Sequence, residues 1–250
     1  MTGQHHDTAE FRGARFTHAD LTGITVRDCD LTGLQIVDCI LGDAVVAGDF
    51  TRLVVNDVDV TAYVSAELDR RQPERIRVRS LRGARDHHDT WAAVQRMWAA
   101  THARLASLPE PLLSQRVGEE WSVLETMRHL VFATDAWIGA AVLGQPHPYH
   151  PAGLPSAGYP DDLSAQLGLE LHVMPAFPQL LAVRAERMAT VADVVADLTD
   201  DRLAGVCLRA PAPGYPEHRR VVADCLRVVM NEEVEHHRYL VRDLDVLCVP

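Results

Sequence analysis

The stretch NEEVEHHRYLVRDL, residues 231–244, places acidic and imidazole side chains among leucines. Steps of three and four residues put Glu233 and His237 one helical turn apart on an apolar face. That face consists of Leu226, Met230, Glu233, His237, Leu240 and Leu244. A buried carboxylate is costly unless it is paired or bound to a metal. Glu233 and His237 are therefore candidate metal ligands.

A third candidate ligand, His129, lies in a stretch that is apolar on nearly all sides. Inward-facing residues on facing helices build the metal sites of helix bundles. The pattern allows a cation to be held by His129, Glu233 and His237. Two plainer interpretations stay open: a histidine bonded to a backbone carbonyl, and a Glu/His pair joined only by a salt bridge. The solvated face of the same helix is predicted to carry Glu232, Glu235 and His236.

Long helices must position these groups. A stripe of apolar residues predicts a first helix over residues 86–108, ended by Pro109. The capping box from Ser122 to Glu125 predicts a second helix from Val123 to Gly144. A third helix is predicted over residues 178–198, a fourth over 219–247, and a short one near 163–174. Long loops rich in Pro and Gly connect them. This pattern predicts a mainly α protein built on an up-down four-helix bundle.

Residues 11–50 follow a different period, of five residues. The apolar positions are Phe11, Phe16, Leu21, Val26, Leu31, Ile36, Leu41 and Val46. A fixed period that fits neither a helix nor a flat strand indicates a solenoid with stacked equivalent side chains. The stretches FTHADLTGIT and DCDLTGLQ resemble pentapeptide repeats. That resemblance implies a short N-terminal right-handed β-helix of two coils.

The region between the two periodic parts is predicted to be a β-hairpin over residues 52–60, turning at Asn56-Asp57, and then a short helix before Pro73. The arginine-rich run of residues 70–85 favours a solvated linker over an anion site. The predicted organisation is a repeat and hairpin region at residues 1–60, a connecting helix and Arg-rich linker at 61–85, and a helix bundle at 86–250.

The composition argues against several classes of function. The net charge of −11 disfavours a nucleic-acid partner. The sequence contains no lysine for a Schiff base or a phosphate-binding loop. The N-terminus is too polar for a signal peptide, and the most apolar stretch, residues 130–143, is too short to span a membrane. The five scattered cysteines indicate no disulfide framework. We expect a cytoplasmic protein without nucleic-acid or membrane partners.

Two motifs carry a resemblance to a known family. EEWSVLETMRHLVFATDAW and NEEVEHHRYLVRDL resemble the DinB-like superfamily of metal-binding four-helix bundles over residues 86–248. His129 matches the first family ligand, and His237, followed by Arg238, matches the last. Glu233 stands where the family usually has histidine. The resemblance implies a divalent metal held by His129, Glu233 and His237, and a homodimer of the kind that relatives often form.

Two histidines and one glutamate form a known catalytic zinc set and also match the facial triad of non-haem iron. We expect zinc first, with iron, nickel and manganese as alternatives. The superfamily includes thiol-dependent S-transferases and a maleylpyruvate isomerase. The resemblance therefore implies a low-molecular-weight thiol as a second cofactor and a small electrophilic molecule as the substrate.

Further residues are predicted to serve such a reaction. His102 on the first helix and His236 are candidates for proton transfer. The candidates for substrate contact are Trp98, Trp137, His147, Tyr149 and His150. For the tryptophans the alternative is core packing, and for the loop residues it is a role in shaping the fold.

Two other functions compete with the enzyme. One is a non-catalytic, stress-associated binding protein that uses the repeat surface for a protein partner. The other is a DNA mimic, because aspartates line the repeats, but two coils make a poor copy of a duplex. The enzyme is the preferred interpretation.

Overall fold

The computed structural model describes residues 5–6 and 8–248. These residues form two compact units, divided in the chain between Asp49 and Phe50. The fold is mainly helical, and the described residues contain one sheet of two strands. Within those residues, no helix has both the length and the apolar character needed to cross a membrane.

The first unit is built from turns that recur every ten residues, which is the length of two five-residue repeats. Positive φ angles mark this spacing at Gly13, Gly23 and Gly33 and, five residues after each, at His18, Asp28 and Asp38. Glycine adopts such angles without a Cβ clash, and aspartate tolerates them better than most residues. The described part of this unit contains turns and bends but no strand, so the β-helix itself stays a prediction.

The described residues of this repeat unit have no buried core. Leu21 and Leu31, two of the central apolar positions, keep 43% and 46% of their surface exposed, whereas Leu226 of the second unit is 0% exposed. This exposure is what the predicted β-helix of two coils would give, because it would have no middle coil to cover the apolar side chains on both sides.

The second unit, which we call the helical unit, begins with the predicted hairpin. Strand β1 (Val54–Val55) pairs antiparallel with β2 (Val58–Asp59), and Asn56 and Asp57 form the turn with positive φ angles. The helices that follow are α1 (Thr61–Arg71), α2 (Glu74–Arg79), α3 (Ala84–Leu105), α4 (Glu110–Leu113), α5 (Val123–Thr134), α6 (Asp161–Gln166), α7 (Phe177–Ala196), α8 (Asp200–Ala204) and α9 (Val222–Leu247).

Helices α3, α5, α7 and α9 are the four longest helices of the described residues, and all four were predicted. Helix α3 packs against α7 and α9, and α5 packs against the same two helices. Their shared core contains Trp91, Trp98, Leu130, Leu180 and Leu226. A polar side chain on an inward face of α9 therefore meets either α5 on one side or α3 and α7 on the other.

The arginine-rich segment was predicted to be a solvated linker lying against an acidic domain; it does lie against the other helices, but it contains a helix with buried apolar residues and is not a plain linker. Helix α2 lies within it and packs against α3 and α9. Val78 and Leu81 are 3% and 2% exposed. Arg75 forms an ion pair with Glu235 of α9. The apolar residues interleaved with the arginines anchor the segment, because their burial outweighs the tendency of a charge run to stay in water.

The second predicted helix changes its hydrogen bonding midway. Helix α5 continues into a π-helical segment, Asp135–Val142, in which Leu143 N donates to Ile138 O at 2.9 Å. Asp135 is 5% exposed and accepts hydrogen bonds from Arg187 Nε at 2.9 Å and from the backbone N–H of His150 at 2.8 Å. Periodicity alone predicted one continuous α-helix, which was wrong over these residues.

Candidate metal centre

Three side chains that can bind a metal converge between α5 and α9. They are His129, Glu232 and His236, and their ligand atoms all lie within 4.8 Å of one another. Glu232 Oε2 lies 3.3 Å from His129 Nε2 and 3.0 Å from His236 Nε2. In the described part of the chain, this is the one group of three or more such residues.

The start of α5 fixes the position of His129. Ser122 caps the helix: its backbone N–H donates to Glu125 Oε2 at 2.9 Å, and its hydroxyl accepts from Glu125 N at 3.3 Å. His129 follows less than two turns later. Its Nδ1 lies 3.0 Å from Leu154 O, and a carbonyl only accepts hydrogen bonds, so the proton is assigned to Nδ1. Such a bond orients an imidazole so that Nε2 faces a metal.

Glu232 is held as a carboxylate. Burial opposes its ionisation and would raise its pKa, but the hydrogen bonds with His129 and His236 outweigh burial and lower the pKa of Glu232 to about 2. In the metal-free protein these bonds require protons on the imidazoles. A bound cation would take the place of those protons, since metal binding to histidine releases protons.

Trp121 forms an aromatic wall beside the two imidazoles. Its ring centroid lies 4.7 Å from that of His129 and 5.7 Å from that of His236, and the second pair of rings is nearly parallel at 18°. The residue directly precedes the cap of α5, so the same local structure that positions His129 also positions this wall.

The charge of Glu232 affects the ionisation of the Tyr215 phenol. Burial first and the Glu232 carboxylate second raise the pKa of Tyr215, against a lowering hydrogen bond with Ser156. The phenol is therefore protonated at neutral pH. Its ring makes an edge contact with Trp137 at 5.7 Å between centroids.

Glu233 and His237 face the other side of α9. Glu233 Oε2 accepts from Arg184 Nη2 at 2.7 Å, and both side chains are almost completely buried. His237 Nε2 lies 2.7 Å from Thr101 Oγ1. Neither residue joins the group that contains His129.

The structure therefore does not bring the predicted ligands Glu233 and His237 together with His129. The geometry brings His129 together with Glu232 and His236, which were predicted to be solvated. The reason is the orientation of α9 between its neighbours. Glu232 and His236 lie on the face that meets α5, whereas Glu233 and His237, one position later in the sequence, lie on the face that meets α3 and α7.

Trp98 and His102 lie with the second pair, away from the three converging ligands. The Arg184 guanidinium lies over the Trp98 ring at 5.5 Å, and the Trp98 centroid lies 5.4 Å from that of His102 and 5.0 Å from that of His237. Burial, reinforced by the charge of Arg184, lowers the pKa of His102 to about 4. Burial, followed by His102, lowers the pKa of His237 to about 4. Both imidazoles are neutral at pH 7.

Several buried atoms of this second cluster lack a hydrogen-bond partner among the described residues. They are Trp98 Nε1, His102 Nε2, Arg184 Nε and Nη1, Glu233 Oε1 and His237 Nδ1. Internal water is the ordinary partner of such groups. The predicted role of His102 in proton transfer is not supported by a contact with the three converging ligands.

The predicted substrate residues separate into different surroundings. Trp137 packs on Tyr215 and carries Arg220 over its ring at 5.8 Å. His147 is exposed, and the Tyr149 hydroxyl donates to Pro211 O. His150 lines a separate pocket of about 330 Å³ with Glu170 and Gln179. Among the predicted substrate residues, Trp137 contacts Tyr215, whose ionisation responds to the charge of Glu232.

Sequence reasoning missed Trp121, Arg184 and Tyr215. Arg184 carried a usable signal, because it interrupts the apolar stripe of the third helix between Leu180 and Val191. Tyr215 lies in a loop rich in proline, where no periodicity indicates which side chains turn inward.

Comparison with known families decides the identity of the fold. A family model of the DinB superfamily matches residues 93–240, more than half of the 250-residue chain. The chain belongs to the DinB superfamily. A second family model, of pentapeptide repeats, matches eight copies over residues 8–45. Both resemblances are thereby confirmed. No curated protein and no solved structure matches the chain.

The residues of this DinB-superfamily protein fit the metal that the superfamily binds. Two imidazole nitrogens and one carboxylate oxygen are ligands of zinc and of other divalent transition metals. His129, Glu232 and His236 all lie inside the matched residues 93–240. The hydrogen bond from His129 Nδ1 to Leu154 O orients Nε2 towards a cation, and Glu232 is ionised, so both side chains are suited to metal binding.

Proposed function

We propose that this DinB-superfamily protein is a divalent-metal-dependent enzyme that acts on a small electrophilic molecule with a low-molecular-weight thiol. The reaction would be an S-transfer or an isomerisation. The group of His129, Glu232 and His236 carries the proposal. We propose further that the four long helices form a four-helix bundle in which this group lies between α5 and α9, with zinc as the first candidate metal.

The three side chains would hold the cation and leave room for a further ligand. Three protein ligands leave an open position in a four-coordinate site, which suits catalysis better than a structural role. When bound, the metal would act as a Lewis acid and lower the pKa of a thiol or water at that position. Glu232 would neutralise part of the cation's charge, because its carboxylate is ionised throughout the physiological range.

The surrounding residues would bind and orient the reactants. Trp121 covers the imidazoles and excludes water from their flank, which strengthens electrostatic interactions at the site. The protonated Tyr215 phenol can donate a hydrogen bond to an oxygen of the substrate on which negative charge develops. Trp137 supports Tyr215 from the side. None of these roles requires a proton from the buried His102.

Elemental analysis of protein purified without added metal tests the ligand set. We expect about one equivalent of a divalent transition metal in the native protein. Glu232→Ala and His236→Ala should lose it, with a loss of affinity above the roughly 10–100-fold that removal of an outer-shell partner costs. Glu233→Gln is the matched control, since it changes the neighbouring carboxylate and should keep full metal content.

Circular dichroism would verify that each variant remains helical. Retention of the metal by Glu232→Ala, together with its loss from Glu233→Gln, would contradict the proposed ligands. A screen of the native protein with small thiols and electrophiles then tests the reaction. We expect the native protein to consume an electrophile in the presence of a thiol, and we expect the Glu232→Ala variant to lose this activity. A metal-free Glu232→Ala variant that consumed the electrophile as fast as the native protein would contradict the proposed metal-dependent enzyme.

A further inference from the structure

Two cysteines far from each other in the sequence are in contact. Cys207 follows α8, and Cys225 lies in the first turn of α9. Their Sγ atoms are 3.3 Å apart. The backbone holds them there: Cys207 N donates to Arg220 O at 3.0 Å, and Val222 N donates to Gly205 O at 2.9 Å. The contact is therefore fixed by a short antiparallel ladder as well as by the side chains.

The two thiols differ in access. Cys225 is 0% exposed, whereas Cys207 is partly exposed and lines a pocket of about 400 Å³. The charged residues of that pocket are Arg209, Glu217, Arg219 and Arg220. Three arginines against one glutamate favour an anionic reagent. A molecule in this pocket meets Cys207 before it can meet Cys225.

We propose that Cys207 and Cys225 are a reactive thiol pair that an anionic low-molecular-weight disulfide oxidises to an intramolecular disulfide. This goes beyond the proposed metal-dependent reaction and uses none of its residues. The two sulfurs already touch, so a small movement brings them to the bonding distance of about 2 Å.

The reaction proceeds by two thiol–disulfide exchanges. Cys207 loses its proton to solvent and attacks one sulfur of the reagent, forming a mixed disulfide and releasing one thiolate. Cys225 then attacks the Cys207 sulfur, and the second thiolate departs with the Cys225 proton. The protein loses two hydrogens and the reagent becomes two thiols. Burial, with a further rise from Cys207, raises the pKa of Cys225, so Cys225 is the resolving thiol and not the first nucleophile.

The disulfide would close a loop that contains Tyr215, a residue whose ionisation responds to the charge of Glu232. Residues 208–224 lie between the two cysteines and include Tyr215. Closing a loop of this length restrains the unfolded chain and raises the melting temperature by several degrees. Oxidation would also restrict the movement of residues 208–224, which include Tyr215.

The anionic disulfide 5,5′-dithiobis(2-nitrobenzoate) tests the proposal, because each departing thiolate is coloured. The full chain would carry Cys29→Ser, Cys39→Ser and Cys248→Ser, which remove the three exposed cysteines. We expect two coloured equivalents per protein and a product without adduct, lighter by two hydrogens. Adding Cys225→Ser should give one equivalent and a stable adduct on Cys207. One equivalent and a persistent adduct while Cys225 is present would overturn the proposal.

The unaltered protein gives an independent readout. After oxidation by the same reagent and alkylation of the remaining thiols, trypsin separates the two cysteines into peptides 203–209 and 221–227. We expect these peptides to be linked to each other, with Cys29, Cys39 and Cys248 in adducts. Links among those three cysteines, with Cys207 and Cys225 both alkylated, would overturn the pair. Neither result depends on bound metal, so the proposed enzyme and this thiol pair can fail separately.

Discussion

Helix α9 carries two Glu/His pairs with the same spacing and different surroundings. Glu232 and His236 keep 30% and 22% of their side chains exposed and meet His129 of α5. Glu233 and His237 are 1% and 9% exposed and meet α7 and α3. The pairs are offset by one residue. Spacing within a helix identifies which residues share a face, but the neighbouring helix decides what chemistry that face can perform.

The charges around the two carboxylates explain the difference. Glu232 meets only imidazoles, which release their protons when a cation binds. Glu233 is bound at 2.7 Å by Arg184, a permanent cation, and both side chains are almost completely buried. A guanidinium at that distance occupies the carboxylate and repels a divalent metal. The first pair is therefore suited to ligation, and the second to a structural ion pair.

Removal of Arg184 should produce the largest effect on stability. Arg184→Met keeps most of the side-chain volume but leaves Glu233 buried without its cation. We expect a loss of about 3–5 kcal/mol in the free energy of unfolding, the usual result when one member of a buried pair is removed. Urea unfolding of the metal-free protein, followed by circular dichroism of the helices, measures it.

The two pairs should respond differently in the same assay. Replacing both charged groups, in Arg184→Met with Glu233→Leu, should recover most of the loss, because no uncompensated charge remains. Glu232→Gln should lower the unfolding free energy by less than Arg184→Met does, since the Glu232 side chain is partly solvated and its removal leaves no permanent cation buried without a partner. Equal costs for Arg184→Met and Glu232→Gln would refute the distinction between the two faces.

A weaker effect is expected from pH, through His102 beside the second pair. Its folded pKa of about 4 lies below the ordinary value of 6.5. Between these two values the unfolded state binds about one more proton than the folded state at this residue, so stability rises with pH. The contribution of His102 is complete above pH 6.5 and is lost as the pH falls towards 4.

Substitution of His102 isolates this contribution. His102→Gln should reduce the number of protons taken up on unfolding by about one between pH 4 and 6.5, which flattens the stability curve by about 1.4 kcal/mol per pH unit. Chelator-treated protein, unfolded in urea at a series of pH values, provides the measurement. His237, shifted in the same direction, should preserve part of the slope. An unchanged slope in the variant would mean that His102 is not desolvated.

The sequence predicted those parts of the fold that local rules determine. The capping box at Ser122 located the start of α5 at Val123, and the five-residue period located the repeats. The π-helical segment from Asp135 could not be predicted, because its apolar residues suit an α-helix equally well. Helix α2 was missed since its arginines mask the burial of Val78, which depends on helices distant in the sequence.

The structure groups His129 with Glu232 and His236, which each lie one position before the predicted ligands Glu233 and His237. His129 was identified because a histidine inside an apolar stretch needs a partner, and α9 was identified from its own carboxylates and imidazoles. The choice between Glu232 and Glu233 required knowledge of where α5 and α7 lie around α9. The leucines on the Glu233 face correctly predicted burial. Burial, however, marked the residue paired with Arg184 and not the one that faces His129.

The smallest effect is expected from Trp121, which touches the first pair without supplying a ligand. Trp121→Ala removes the aromatic wall beside His129 and His236 but leaves all three ligand atoms in place. We expect metal affinity to fall by no more than about tenfold, because supporting groups contribute less than ligands. Competition with a chelator of known affinity would measure the change, with Trp91→Phe as a matched tryptophan variant in the core. If Trp121→Ala lost as much metal affinity as Glu232→Ala, Trp121 would be needed to hold the two imidazoles in position. Ligands and supporting residues could then not be told apart by the affinity that each substitution costs.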